Sequence, residues 1–550
     1  MYPNLLETTY IPMYATPALK RRLENVLPDA RQIMNIGGTP GAAIAVIHHN
    51  NLIHTEYIGF RDTESRLPVN EKTIFPCASL TKAVVSAAVA LCVEDGKFNW
   101  DTPVKDILPD FHTKSEILHH NMTPVDCLSH RAGMQNSLYW LGSMNTVLIA
   151  KEKSMDFIND LKQVKPFRNE YLYNNLGYEI AAHILEEATG DPWERILHTR
   201  IFEALGMSRT GTRAHFDDGK NRAKTYGALD DATPVEVVPM LSGDDTVGGP
   251  GSAMRSCVRD LVELYTAFLQ ADKHQTDNGT SSTPKNPLRQ VPFLFSPKIS
   301  MNRVAHHETS YALGWARVQT PGPMGAIGLN PNLLSPKPAP NVASGHASTL
   351  IYYHQGSMPG NLAAVNLLPD SQGAIIVLTN SLALNDTADW LGQLYLEAYL
   401  GVDKRNDYVA LAEETAVAAR EWYPNVASEL QRHKTPGTSS PRDLSEYTGA
   451  FHNDARTMMI SIFISQAGDL QLSFQGLGSE VYDLQHYQDD TFTWLVARDD
   501  FVRRGRFTNY NAEYFKIGFG SEKKEEPITF LTWWHDKYLP APERFTRTSN

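Results

Sequence analysis

Apolar and polar positions change rhythm several times along this chain. Over residues 17–34 (PALKRRLENVLPDARQIM) apolar residues recur at helical spacing after a Thr-Pro start, which predicts a helix. GAAIAVIHHNNLIHTEYIG then offers two β-rich runs around Asn50-Asn51, which predicts a hairpin. After Ser79, LTKAVVSAAVALCVEDG is apolar on nearly every face and stops at Asp95-Gly96. A helix with no polar face belongs in the middle of a domain. The pattern stays mostly helical to about residue 270, with YEIAAHILEEATG and VRDLVELYTAFL among its runs. Strand-like YALGWARV, TLIYYHQG, LAAVNLLP and AIIVLTN follow, and then a helix over about 389–400.

Three stretches interrupt this order. Residues 271–290 are polar and predict a surface excursion. Residues 321–340 hold Gly or Pro at nine of twenty positions, which favours neither helix nor strand. Such a long irregular segment between YALGW and HQG predicts a lid or pocket wall. Residues 433–443 (HKTPGTSSPRD) predict an interdomain linker. Beyond it MMISIFISQAGDLQLSFQG alternates apolar with polar, as does much of the chain to Trp534. The expected organisation is a large unit over 1–432 with its core at about 17–405, and a β-rich domain over 444–550.

Composition narrows the classes. A chain of 550 residues suits two or three domains, and 42% hydrophobic with 20% charged residues is globular. Fifty basic against 62 acidic side chains leave a net charge of −12, which repels a phosphate backbone. No nucleic-acid partner is expected. The longest apolar stretch, 83–93, falls far short of the ~20 residues that cross a bilayer, so no membrane partner is expected either. The first residues carry no basic cluster and no apolar core, and the last carry no targeting signal. Four cysteines without a CxxC pair fit a reducing compartment. The expected location is cytoplasmic.

Several chemistries are missing from the sequence. There is no HExxH, and His48-His49, His119-His120 and His306-His307 have the wrong spacing for two ligands on one helical face. Isolated GxG pairs at Gly249/Gly251, Gly476/Gly478 and Gly518/Gly520 lack a dinucleotide site's third glycine. No Walker A loop and no GxSxG elbow occurs. Neither metal nor cofactor is expected.

What remains is Ser79-Leu80-Thr81-Lys82. One helical turn puts hydroxyl and amine on one face, beside unpaired N–H groups at a helix start. A lysine buried there loses its preference for the charged form and can accept a proton. That is an activated nucleophile. The spacing repeats at Ser282/Lys285 and Ser521/Lys524 in polar segments, so the motif alone is weak. An N-cap serine with a snorkelling lysine is the bland alternative. Tyr173-Asn174-Asn175 and His354-Gln355-Gly356 are each equally weak alone, and a strand-end histidine facing solvent is the commoner case.

Together, in this order, the three motifs resemble the serine β-lactamase and penicillin-binding-protein superfamily. That group uses SxxK, then YxN about ninety residues on, then KTG or HxG on a late strand; here Tyr173 follows Ser79 by ninety-four residues. FPCASLTKAVVSAAVALCVEDGKF, TPVDCLSHRAGM, YNNLGYEIAAHILEEATG, YALGW and HQGSMPGNLAAVNLLPDSQGAIIVLTN resemble its blocks, over roughly 17–405. The resemblance is to the class C-like, esterase and peptidase branch. It implies an α+β, β-lactamase/transpeptidase-like fold: an antiparallel sheet flanked by helices, a helical lobe, and Ser79 at their junction. It implies Ser79 as nucleophile, Lys82 as proton acceptor and Tyr173 as partner base that protonates the leaving group. Asn175 would hold Lys82 or a substrate amide. The backbone N–H groups of Ser79 and Ser357, beside Gly356, would form the oxyanion hole.

The third motif departs from true β-lactamases, because His354 replaces a lysine and is mostly neutral at pH 7. Antibiotic resistance is therefore not the expected role. The expected partner is a small-molecule ester or amide, cleaved through an acyl-Ser79 in natural-product metabolism. An acyltransferase resembling the lovastatin-type transesterases, with an alcohol or amine as acyl acceptor, shares every catalytic residue. A catalytically silent scaffold is the third reading. The C-terminal domain resembles the barrel-like module appended to some D-peptidases of this group. Substrate identity and oligomeric state are not written in the sequence.

Overall fold

The computed structural model describes residues 16–213, 221–239, 243–302, 307–435, 441–523 and 526–548. The first fifteen residues, His306, Lys524 and the centre of the expected linker, 436–440, lie outside them. Helix α1 (Pro17–Glu24) starts on the Thr16 hydroxyl, which accepts from the Leu19 N–H at 3.2 Å. Helix α2 (Leu27–Gly37) follows as a separate element. The single helix expected over 17–34 is thus two, because Pro28 has no N–H and starts a new helix instead of extending the old one. Strands β1 (Gly41–His48) and β2 (Asn51–Asp62) form the hairpin. Its turn is His49-Asn50, one residue earlier than expected, with both φ values positive (48° and 60°) as a two-residue turn requires.

Helix α3 (Thr81–Glu94) is buried from Thr81 through Cys92, as its all-apolar surface demands. Helices α4 (Leu176–Thr189) and α5 (Val258–Asn278) carry the other two helical runs. The mostly helical reading of the intervening stretch is corrected by the strand pair Tyr226–Ala228 and Pro234–Glu236. The expected excursion at 271 is also corrected. α5 continues to Asn278 because Ala271 and Gln275 extend its buried stripe.

Strands β3 (Ala316–Thr320), β4 (Thr349–Met358), β5 (Asn361–Leu368) and β6 (Gly373–Thr379) complete the central sheet. YALGWARV is not one strand: it breaks at Gly314, whose φ is +82°, between Thr309–Tyr311 and β3. From β2 the order runs β2-β1-β6-β5-β4-β3, with short strands on either edge, and every adjacent pair is antiparallel. Ala43, Ala45 and Ile47 of β1 face a core shared with α3, α4 and α5. Ala42, Ile44 and Val46 face the other way, onto α1, α2 and the late helices α6 (Thr387–Leu400) and α7 (Tyr408–Arg420). Period-two alternation thus feeds two cores from one strand.

Helix α8 (Trp422–His433) leads into the C-terminal domain and already packs on it, with Trp422 against Phe501 and its indole N–H on the Tyr510 carbonyl at 2.8 Å. Nine strands from Gly449–His452 to Glu543–Arg547 form one antiparallel sheet. Its two edge strands, Val481–Asp483 and Gln485–Gln488, are neighbours in sequence, so the sheet curls into a near-barrel. Phe474, Trp494, Phe515 and Trp533 pack the inside. The α+β architecture with an all-β C-terminal domain is the one expected.

Candidate active site

Ser79 lies in a tight turn, Ala78–Leu80, that runs straight into α3. Ala78 has φ +46°, a left-handed conformation that a residue with a Cβ adopts only under strain. The turn is held from several sides. The Thr81 hydroxyl donates to the Ala78 carbonyl at 2.6 Å and accepts from the Met254 N–H at 3.0 Å. The Asn361 amide donates to the Pro76 carbonyl at 3.0 Å. Strand β4 passes flush against it: a Cβ on Gly356 would stand 2.5 Å from the Cys77 carbonyl oxygen and 3.2 Å from the Ser79 nitrogen. Glycine is required there by contact. Ser357, next along β4, is half-buried opposite Leu362.

Lys82 is fully buried. Its Nζ lies 3.0 Å from Ser79 Oγ, 2.8 Å from Asn175 Oδ1 and 2.8 Å from the Gly251 carbonyl oxygen. The rings of Tyr173 and Tyr178 stand 4.9 and 5.3 Å away. Among the described residues no carboxylate forms an ion pair with this amine. Burial therefore pulls its pKa well below the ordinary lysine range. A neutral amine has two N–H bonds and one lone pair. The amide and carbonyl oxygens can only accept and take the two hydrogens, which leaves the lone pair for the Ser79 hydroxyl. The Tyr173 hydroxyl donates to Ser79 Oγ at 2.8 Å, and burial raises its pKa so that it keeps its proton. Amine, hydroxyl and phenol form a connected proton path.

His354 is buried on β4, not exposed at a strand end. Its Nε2 lies 2.9 Å from the Tyr311 hydroxyl and its Nδ1 2.5 Å from the Gln355 carbonyl. Burial, with Lys82 adding to it, lowers its pKa to about 3, so it is neutral at pH 7. Gln355 points to the opposite face and donates to Asp389 of α6 at 2.9 Å. The 321–340 segment lies on that opposite face too. Gly325 and Gly328 press on the Asp389 and Asp386 carboxylates, and Met324 and Leu334 enter the core of α6. The expected lid is corrected. The segment supports the back of the sheet, and it holds a short helix, Asn330–Leu334, where none was expected.

The structure thus brings Ser79, Lys82, Tyr173 and Asn175 into one hydrogen-bonded group and lays His354, Gly356 and Ser357 on the adjoining strand. Among the described residues no group of three or more His, Cys, Asp or Glu side chains could hold a metal. Nor, among the described residues, is any helix long and apolar enough to cross a membrane.

The β-lactamase family model matches residues 29–399. The chain belongs to the β-lactamase family. The unguisins hydrolase ungD of Aspergillus violaceofuscus is 25% identical over 85% of this chain and 82% of that protein. The unguisins hydrolase ungD' of Aspergillus campestris is 29% identical over 44% of this chain and 46% of its own length. Among solved structures, the octameric penicillin-binding protein homologue from Pyrococcus abyssi covers 96% of this chain with a TM-score of 0.55 and 16% identity. A class C β-lactamase mutant covers 71% with a TM-score of 0.52 and 17% identity. Both share the fold. Since the first covers 96% of this chain and 99% of its own length, its likeness extends into the C-terminal near-barrel.

Within this β-lactamase-family site, sequence reasoning missed three participants. Gly251 contributes a backbone carbonyl, for which a glycine carries no side-chain signal. Tyr311 lay inside YALGW without a role. His130, in TPVDCLSHRAGM, accepts from the Asn174 N–H at 3.1 Å and lies tilted against the Tyr173 ring, with centroids 4.3 Å apart. Its burial lowers its pKa well below the usual range, so it serves as a neutral platform.

Proposed function

We propose that this protein is a serine hydrolase that cleaves a small-molecule ester or amide through an acyl-Ser79 intermediate. The observation that carries this is Ser79 Oγ within 3.0 Å of a buried amine without a counter-ion and 2.8 Å of a protonated phenol. Lys82 Nζ takes the Ser79 proton as Oγ attacks the substrate carbonyl. The oxyanion forms against the N–H groups of Ser79 and Ser357. The proton passes from Lys82 through Tyr173 to the leaving alcohol or amine, and the C–O or C–N bond breaks. Water then attacks the ester and gives its proton back along the same path, releasing the acid and restoring Ser79.

His354 is neutral and engaged by Tyr311, so the third motif offers no permanent charge to a substrate carboxylate. This favours neutral esters and amides over antibiotics. Resemblance to the esterase and transesterase branch supports a role in natural-product metabolism, and the cysteine usage supports a cytoplasmic location. The relatives named hydrolases support water as the acceptor. A fluorophosphonate probe should label the wild type once and Ser79→Ala not at all. Labelling that persists in Ser79→Ala overturns the proposal. A p-nitrophenyl ester turned over with and without alcohols and amines, its products read by mass, separates hydrolysis from acyl transfer. Release that is slow in water and accelerated by one acceptor would replace the hydrolase with a transferase.

A further inference from the structure

The C-terminal near-barrel touches the rest of the chain along a strap, residues 133–148, that also borders the active site. At its start the strap meets the YxN turn. The Asn174 side chain donates to the Met134 and Gln135 carbonyls at 2.8 and 3.0 Å, and the Asn175 N–H donates to Asn136 Oδ1 at 3.1 Å. Further on, the Trp140 ring lies on Gly248: a Cβ there would stand 2.5 Å from the indole. Gly248 receives the Gly251 N–H at 3.2 Å, so this ring backs the turn whose carbonyl holds Lys82. At the strap's tip the Asn145 amide donates to the Pro359 carbonyl at 3.2 Å, in the turn that follows Ser357. The strap therefore contacts the supports of both oxygens that orient the Lys82 amine, and the end of β4.

The strap closes into a narrow loop, with the Leu148 N–H on the Trp140 carbonyl and the Gly142 N–H on the Thr146 carbonyl, both at 2.7 Å, and with φ +53° at Met144 and Asn145 at its tip. The C-terminal domain grips this loop from outside. Arg506 donates to the Leu141 carbonyl at 2.8 Å, and Glu480 accepts the Ser143 N–H. Both side chains are almost completely buried. They stand 3.9 Å apart, and each commits a hydrogen bond to strap backbone, while the other end of the Arg506 guanidinium donates to the Tyr514 hydroxyl of its own domain at 2.6 Å. The Tyr482 hydroxyl adds a bond to Ser143 Oγ at 2.6 Å, and Gln475 donates to the Leu148 carbonyl at 2.7 Å. An appended module with an independent task would have no need to bury a charged pair on a neighbour's loop.

We propose that the C-terminal β domain is a positioning element of the catalytic centre. It holds the 133–148 strap, and the strap holds Asn175 and the Gly251 turn against Lys82. This rests on the reading of Ser79 and Lys82 as nucleophile and base. None of the residues of the grip reaches the reacting atoms. Loosening the strap would admit water to the amine and free one of its acceptors, so the lysine would return toward its ordinary charged state. The groups that face Lys82 are the Tyr173 and Tyr178 rings, His130 and His354, with the Asn175 and Gly251 oxygens. Both histidines are neutral near pH 7 and both phenols are protonated, so the acylation midpoint in that region reports the amine.

The test measures the rate of fluorophosphonate labelling against pH in the full-length chain, for wild type, Tyr482→Phe and Arg506→Met. The expected result is a midpoint displaced upward by about half a unit or more in Arg506→Met and less in Tyr482→Phe, with Ser79 still the labelled residue. A merely structural role would lower the labelled fraction and the melting temperature and leave the midpoint where it was. Unchanged midpoints in the folded variants overturn the inference. If Arg506→Met does not fold, Tyr482→Phe, which loses one hydroxyl, decides alone. Wild type that shows no Ser79-dependent labelling overturns the proposed function instead, so the two failures are distinguishable.

Discussion

Strand β4 has buried, unbalanced charge on both of its faces. In front of it stands Lys82, an amine with no carboxylate. Behind it stand Asp386, the N-cap of α6, and Asp389 in its first turn, with amides and backbone N–H groups around them; among the described residues no cation is paired with either. Burial moves both sets toward neutrality. Burial lowers the pKa of the lysine and raises that of both carboxyls; Asp386, with Asp389 repelling it, is pushed up to about 8, while the amides of Gln393, Asn330 and Gln355 oppose the rise at Asp389. In physics the two sides are mirror images. They differ in what lies next to them. Lys82 touches the half-exposed hydroxyl of Ser79, while the aspartates are sealed by Gly325, Gly328 and Asn330. A displaced pKa alone does not make a site; access to a reacting atom does.

The largest expected effect breaks the front side. Lys82→Met keeps the volume of the stem and removes the base, and turnover should fall by about four powers of ten with the fold intact by circular dichroism. Near-normal turnover would mean that the amine is structural, like the aspartates. Tyr173→Phe removes one hydroxyl and should cost about two to three powers of ten with little change in melting temperature. His354→Ala should be milder and act on KM more than on kcat, because its two ring nitrogens bond to Tyr311 and the Gln355 carbonyl and not to Ser79.

The back side should appear in stability and not in turnover. A carboxyl whose folded pKa is raised binds its proton in the native state after the unfolded chain has released it. Stability is therefore complete below the unfolded carboxylate pKa and falls as pH rises toward the folded value. Asp389→Asn relieves the repulsion, and the unpartnered Gln355 and Gln393 carbonyl oxygens can turn to receive its amide. The fall in melting temperature as pH rises from the ordinary carboxylate range toward about 8 should shrink by roughly 2–4 °C. An unchanged slope would show that the pair carries no strain. The smallest effect belongs to the surface of the 321–340 segment. Lys337→Ala loses an exposed ion pair to Glu414 and should leave Ser79 labelling unchanged. A slower labelling rate would bring that segment back to the active site.

The candidate site group was legible only in combination. One helical turn ties Ser79 to Lys82, and the order of the three motifs, matched to a family resemblance, singled out Tyr173, Asn175 and His354 from accidental repeats. The hairpin, α3 and the late strands were legible from period alone. The rest was hidden for identifiable reasons. The Gly251 carbonyl is backbone chemistry at a residue with no side chain. The face on which 321–340 packs is set by α6, more than fifty residues later, and its Gly/Pro content shows irregularity without direction. The end of α5 was missed because a polar helix tail and a polar loop have the same composition, and only Ala271 and Gln275 separate them.

The register of the central sheet also bears on how the protein is made. Ala42 of β1 pairs with Thr379 of β6. At about 5–20 residues per second, a ribosome needs roughly 20–70 s to carry the chain from one to the other. During that interval α3, buried on every face in the finished fold, is fully synthesised and lacks the sheet that covers it. A nascent chain in that state presents a long oily surface to its neighbours, and holdase chaperones recognise such surfaces. The yield of native enzyme should therefore depend on translation speed and chaperone supply more steeply than its melting temperature would suggest.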